Sequence, residues 1–152
     1  MIEVGAAIPV VERAPDPVDL FSFSAAAWLL HRIHYDLPFT TEHDGHPGLL
    51  IHGPLQGTYM IQAVQWWLGP EAELASIFYR HSSPAYAGDR LTCGGTVTAV
   101  DTEANTFQAE LWVRKPGGDG DGSTGPATTD STEPITTTSG TAVFSIPEPA
   151  RA

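Results

Sequence analysis

The chain has 152 residues, enough for one domain with a sizeable core. Its formal net charge is −11, with only seven Lys and Arg, a balance that argues against nucleic acid or an anionic membrane surface as partner. A lone cysteine, Cys93, excludes an internal disulfide framework and fits a reducing cytoplasm.

The opening MIEVGAAIPVVERAPDP lacks a basic leader and a long apolar run, so no signal peptide is expected. No apolar stretch reaches membrane-spanning length. Residues 2–11 lean toward a strand at a sheet edge, and Ala14-Pro15-Asp16-Pro17 reads as a turn or connector because two prolines so close forbid regular structure. A helix is predicted from Ser24, a good N-cap, through the helix-compatible run Ala25–Leu30, ending near Asp36 because Leu37 precedes Pro38. Gly45, Pro47 and Gly48 make 37–48 a loop.

The strongest helix signal follows, GPLQGTYMIQAVQWWL. Gly53 stands where an N-cap belongs, Pro54 at the first helical position, and Gly69-Pro70 ends the run. Only a thin polar stripe at Thr58, Gln62 and Gln65 interrupts its apolar surface, so it is predicted to be a buried helix that the rest of the chain wraps. Tyr59, Trp66 and Trp67 are core residues by default, or walls of a ligand pocket.

Beyond it the pattern changes to strands. Ile77–Arg80 is a short one. Period-two alternation over 90–114, broken by the turn Asp101–Asn105, predicts an antiparallel hairpin with one face on a core, with Cys93 as a small buried strand residue. Ala142, Phe144 and Ile146 give a last strand. Residues 116–140 carry no Lys or Arg and almost nothing apolar, and read as a flexible, low-complexity hairpin insertion; its DGDG lacks the rest of a calcium loop. The sum is a single α+β domain over 1–152, a sheet curled around one helix.

Five of six histidines fall between 31 and 52: His31, His34, His43, His46 and His52. On a helix, His31, His34 and Tyr35 share a face, and imidazole suits proton transfer near neutral pH. The alternative is that these are merely hydrogen-bonded helix-end residues. His-x-x-His spacing in HRIH and HDGH raises a zinc site with Asp44, but no thiolate or HExxH pattern supports it, and no metal is assigned. Gly53 and Pro54 open a helix whose unpaired N–H groups attract an anion or a developing oxyanion. Arg80 and Arg90 are candidate phosphate contacts.

LFSFSAAAWLLHRIHYD, GLLIHGPLQGTYMIQ and FYRHSSPAYAGDRLTCGG together resemble the MaoC-like (R)-specific hydratase/dehydratase branch of the hot-dog superfamily, near the mesaconyl-CoA hydratases and mitochondrial-type 3-hydroxyacyl-thioester dehydratases. The likeness covers about residues 18–114 and the last strand. It implies a hot-dog fold, an antiparallel sheet wrapped around one long central helix, and reversible hydration of an enoyl thioester without a cofactor. Laid on this chain, the family's Asp-x-Asn-Pro-x-His pattern puts the catalytic His on His34, the Asn on His31 and the Asp on Leu29. Leucine can neither orient water nor move a proton, so His31 or Asp36 is the substitute, or this copy is a non-catalytic or partner-dependent subunit of a hetero-oligomeric hydratase. The resemblance also implies that the backbone N–H near Gly53 holds the thioester carbonyl; Tyr35, His52, Pro54, Arg80 and Arg90 are the candidate substrate-binding residues beside it. The expected partners are an acyl-CoA or acyl-carrier thioester and a second hot-dog subunit, in a homodimer or heterodimer. A thioesterase on the same fold is the further alternative.

Overall fold

The computed structural model describes residues 2–117 and 133–145. Five strands, β1 (Ala7–Arg13), β2 (Leu74–His81), β3 (Leu91–Asp101), β4 (Thr106–Lys115) and β5 (Ile135–Ser145), form one sheet in the order β1-β3-β4-β5-β2, antiparallel at every pairing. Two helices, α1 (Pro17–Ala27) and α2 (Gly53–Leu68), complete it, and α2 touches all five strands. The α+β reading and the sheet wrapped around one helix are what the structure shows. Strand alternation explains the inner face: Leu91, Cys93 and Val97 of β3 and Phe107, Ala109, Leu111 and Val113 of β4 are all buried. They meet Leu55, Tyr59, Met60, Ala63 and Val64 of α2, and Phe107 stacks on Phe144 with centroids 5.6 Å apart. Cys93 is fully buried, and desolvation pushes its thiol up to about 12. No helix among the described residues is long and apolar enough to cross a membrane.

Several boundaries differ from the sequence expectation. The first helix starts at Pro17 rather than Ser24, because Asp16 is its N-cap: its carboxylate accepts from the Val18 and Asp19 amides while Asp19 accepts from the Asp16 amide. The two-proline segment is thus a helix start with proline at its first position. The helix ends at Ala27, well before Asp36, where Trp28 turns left-handed at φ 54°. HRIHYD is therefore not its tail. Arg32–His34 forms a separate tight turn, and Phe39–His43 a further helical turn inside the expected loop.

In α2 the cap falls one residue earlier, on His52, making Gly53 the first helical residue. The helix is not buried all round, since Trp66 is 71% exposed and lies under the Arg13 guanidinium. The last strand begins at Ile135, taking 135–140 from the expected insertion. That stretch is polar yet buried at Thr137 and Thr138, whose hydroxyls both donate to the Gln56 side-chain carbonyl, at 2.7 and 2.8 Å. The rest of the insertion from 118 to 132, and Ile146, lie outside the described residues.

Candidate active site

The segment between the helices folds back along the mouth of α2. Leu50 donates its amide to the Ile33 carbonyl, and Ile51 bonds the Ala85 carbonyl, which ties the Arg32–His34 turn to the loop before β3. His34 completes this tie: its Nδ1–H donates to the Leu50 carbonyl at 2.8 Å. That bond fixes the neutral tautomer, leaving the Nε2 lone pair free. Burial holds the His34 imidazole below its ordinary range, partly offset by the bond to Leu50 and reinforced by His31. It is therefore unprotonated at neutral pH.

Behind His34 lies His52, fully buried, with ring centroids 3.7 Å apart and planes 21° from parallel. Its Nε2 pairs with the Ser24 hydroxyl at 2.8 Å, whereas Nδ1 has no hydrogen-bond partner among the described residues. Burial first, and the charge of His34 second, push His52 down to about 4. An unfolded imidazole titrates near 6.5, so between these values the unfolded chain binds a proton that the folded chain refuses. The stability gained from keeping His52 neutral is complete above that upper value and is lost as pH falls toward the lower one. Acidifying from about pH 7 to 5 is expected to cost about 2 kcal/mol, read as a fall in the urea midpoint. His52→Phe, which keeps a ring against His34, should lose most of that dependence, and a midpoint flat over this range in the wild type contradicts the argument.

A cleft of about 370 Å³ opens in front of His34, bounded by Leu50, Gly53, Gln56, His81 and the loop Ser82–Ala85. The start of α2 faces it with no side-chain cap, so its first amides offer the positive end of a 16-residue helix. Two glycines one turn apart let β2 lie against that helix. A methyl on Gly53 would overlap the His81 ring, and one on Gly57 would press on the Tyr79 ring. Tyr79 and His81, two apart on a strand, point to the same face. The Thr138 hydroxyl gives its proton to Gln56 and so accepts from His81 Nδ1–H at 2.9 Å. This turns the His81 Nε2 toward Gly53.

The model of the hydroxyacyl-thioester dehydratase type 2 family matches residues 6–87, more than half of the chain, a span that takes in His34, Gly53 and His81. The chain belongs to this family. It is thereby an enzyme of the hydro-lyase class that works on acyl thioesters. Among its relatives, the 3-oxo-4,17-pregnadiene-20-carboxyl-CoA hydratase beta subunit of Mycobacterium tuberculosis is 32% identical over 102 residues, 66% of this chain and 78% of that one. Mesaconyl-C(4)-CoA hydratase of Chloroflexus aurantiacus is 48% identical over 48 residues, 32% of this chain but only 17% of that protein. The (R)-hydratase of A. caviae involved in PHA biosynthesis superposes with a TM-score of 0.79 at 18% identity, covering 96% of this chain and 98% of that one. The last likeness concerns the fold, which is the hot-dog fold.

For a dehydratase of this family the expected site residues divide clearly. His34 and Gly53 share the cleft, and Pro54 follows as an exposed residue on the helix start. His52 lies beneath His34 rather than on the cleft wall. His31 is exposed, its ring 6.4 Å from His34 and nearly parallel to it. Asp36 is engaged elsewhere: Arg32 donates to it at 2.7 and 2.9 Å and the Phe39 amide at 3.1 Å, with the Arg32 bond chiefly holding its carboxyl below the usual range. Tyr35 donates to the Leu30 carbonyl. Leu29 is half-buried. Arg80 lies on the outer face of the sheet, in a groove with Phe78, Trp112 and Arg114, and Arg90 is exposed before β3. His43 bonds Asp44 and His46 bonds the Tyr86 hydroxyl, and among the described residues no three His, Cys, Asp or Glu side chains converge as a metal would need. Sequence reasoning missed His81, the sixth histidine, although its alternation with Tyr79 and Ile77 already put it on the helix side of β2.

Proposed function

We propose that this chain hydrates an enoyl thioester reversibly, with His34 as the base and the start of α2 as the oxyanion site. The carrying observation is that a buried, neutral imidazole, its Nδ1–H committed to Leu50, and an uncapped helix mouth bound one small cleft. In hydration, His34 Nε2 takes a proton from water as its oxygen bonds to the β-carbon. The electron pair of the double bond moves toward the thioester, and the oxygen becomes an enolate beside the Gly53 amide. One such donor is worth on the order of 3 kcal/mol in the transition state. His52 acts as a positioning residue that keeps the His34 ring in plane.

The acyl group is carried by coenzyme A, since an acidic carrier protein is repelled by a chain of net charge −11. A second hot-dog subunit completes the enzyme, because β1 and β2 are exposed sheet edges. The identity with a hydratase beta subunit and the leucine at position 29 favour a different subunit over a second copy. The reading also places it in the cytoplasm, where Cys93 stays reduced.

Incubation with short trans-2-enoyl-CoA thioesters is the test, alone and with a co-expressed hot-dog partner. Loss of the conjugated absorbance with formation of 3-hydroxyacyl-CoA is expected. Release of free coenzyme A without hydration would assign a thioesterase instead.

A further inference from the structure

Hydration needs two proton movements, one off water and one onto the α-carbon, and His34 accounts for the first only. The position matching the family's carboxylate is Leu29, His31 faces solvent, and both Asp36 oxygens are taken by Arg32 and the Phe39 amide. We propose that His81 is the second proton-transfer group of this cleft, delivering the α-carbon proton from Nε2 in place of the missing carboxylate. The inference rests on the hydratase reading above and extends it.

Three observations carry it. His81 and His34 line the same cleft as Gly53, so a thioester whose oxygen rests on the helix start shares one pocket with two imidazoles. The contact with Gly53 is close enough that only glycine admits the ring, which sets Nε2 beside the oxyanion site. Finally, Nδ1–H is committed to Thr138 and through it to the buried Gln56 carbonyl, so the ring is held and Nε2 is the nitrogen left to exchange a proton. Titratable neighbours of His81 are His34 on the same cleft and, on its own strand, Tyr79 at 5.5 Å between ring centroids.

The protons balance. Water gives one to His34 Nε2 while its oxygen bonds to the β-carbon. The enolate then collapses as the α-carbon takes the proton from His81 imidazolium, restoring the thioester carbonyl. His34 is left charged and His81 neutral. Because His81 is exposed, solvent returns the proton between turnovers. One water is consumed and nothing is oxidised or reduced.

His81→Asn keeps an N–H where Nδ1–H meets Thr138 but cannot transfer a proton. Its kcat for enoyl-CoA hydration is expected to fall about 10²–10⁴-fold with KM little changed. The acid limb of the wild-type pH profile comes from His34 protonation, and the variant keeps it. A variant within about twofold of wild type overturns the proposal. A readout without turnover is the imidazole C–H resonances on adding butyryl-CoA, which should move for both His34 and His81. If His34 responds and His81 does not, this inference alone falls. If neither responds and His34 is also dispensable for rate, the hydratase reading itself falls, and this inference with it.

Discussion

Replacing His34 with asparagine is expected to lower kcat for enoyl-CoA hydration by about 10²–10⁴-fold, the usual contribution of a positioned acid–base group. Asparagine is the informative choice because its side-chain N–H can still donate to the Leu50 carbonyl, the bond that ties the Arg32–His34 turn to the loop beneath. The structural loss is then confined to stacking on His52, worth about 1 kcal/mol, whereas the rate loss corresponds to about 3–5 kcal/mol in the barrier. Thermal melting by circular dichroism should shift by a few degrees while activity all but disappears. The acid limb of the pH profile should go with it. Burial holds the wild-type ring below its ordinary range, so wild-type activity should persist to somewhat below pH 6.5 before the base is protonated. A variant that keeps its rate, or one that unfolds, would count against His34 as the base whose bond to Leu50 is replaceable.

How much of this was readable in the chain depends on how local the cause is. Pro54 and Gly69-Pro70 punctuate α2 within a few residues of its true ends, and the period-two runs mark β3 and β4 almost to the residue. Errors arose where one residue type serves two purposes. Pro17 breaks a strand but opens a helix, and only the Asp16 and Asp19 carboxylates distinguish the two. Thr136, Thr137 and Thr138 are loop-like in polarity and strand-like in branching, and the choice is made by Gln56, far away in sequence. The site was half visible for the same reason. His34 and Gly53 announce themselves by motif, yet the helix expected to align His31, His34 and Tyr35 ends at Ala27, and each then takes its own direction. His81 was invisible as a site residue because its partners Gly53 and Thr138 come from other elements.

Gly53→Ala separates the fold from the chemistry at the helix mouth. Gly53 has ordinary helical φ, so alanine suits the backbone and is favoured by up to about 1 kcal/mol in a helix. The added methyl meets the end of the His81 side chain, which is exposed and can swing into solvent by giving up its bond to Thr138. The Thr138 hydroxyl still donates to Gln56, so no buried donor is orphaned. Stability is therefore expected to stay within about 1 kcal/mol of wild type, while kcat falls by at least about 100-fold as one imidazole leaves the cleft. Combining the change with His81→Asn tells whether the glycine works through that ring. If it does, the double variant is little slower than His81→Asn alone, because the second change removes what the first has already displaced. Multiplicative losses would mean that the methyl itself obstructs the oxyanion site, and full activity in Gly53→Ala would mean that the reaction does not need the His81 ring where it now lies.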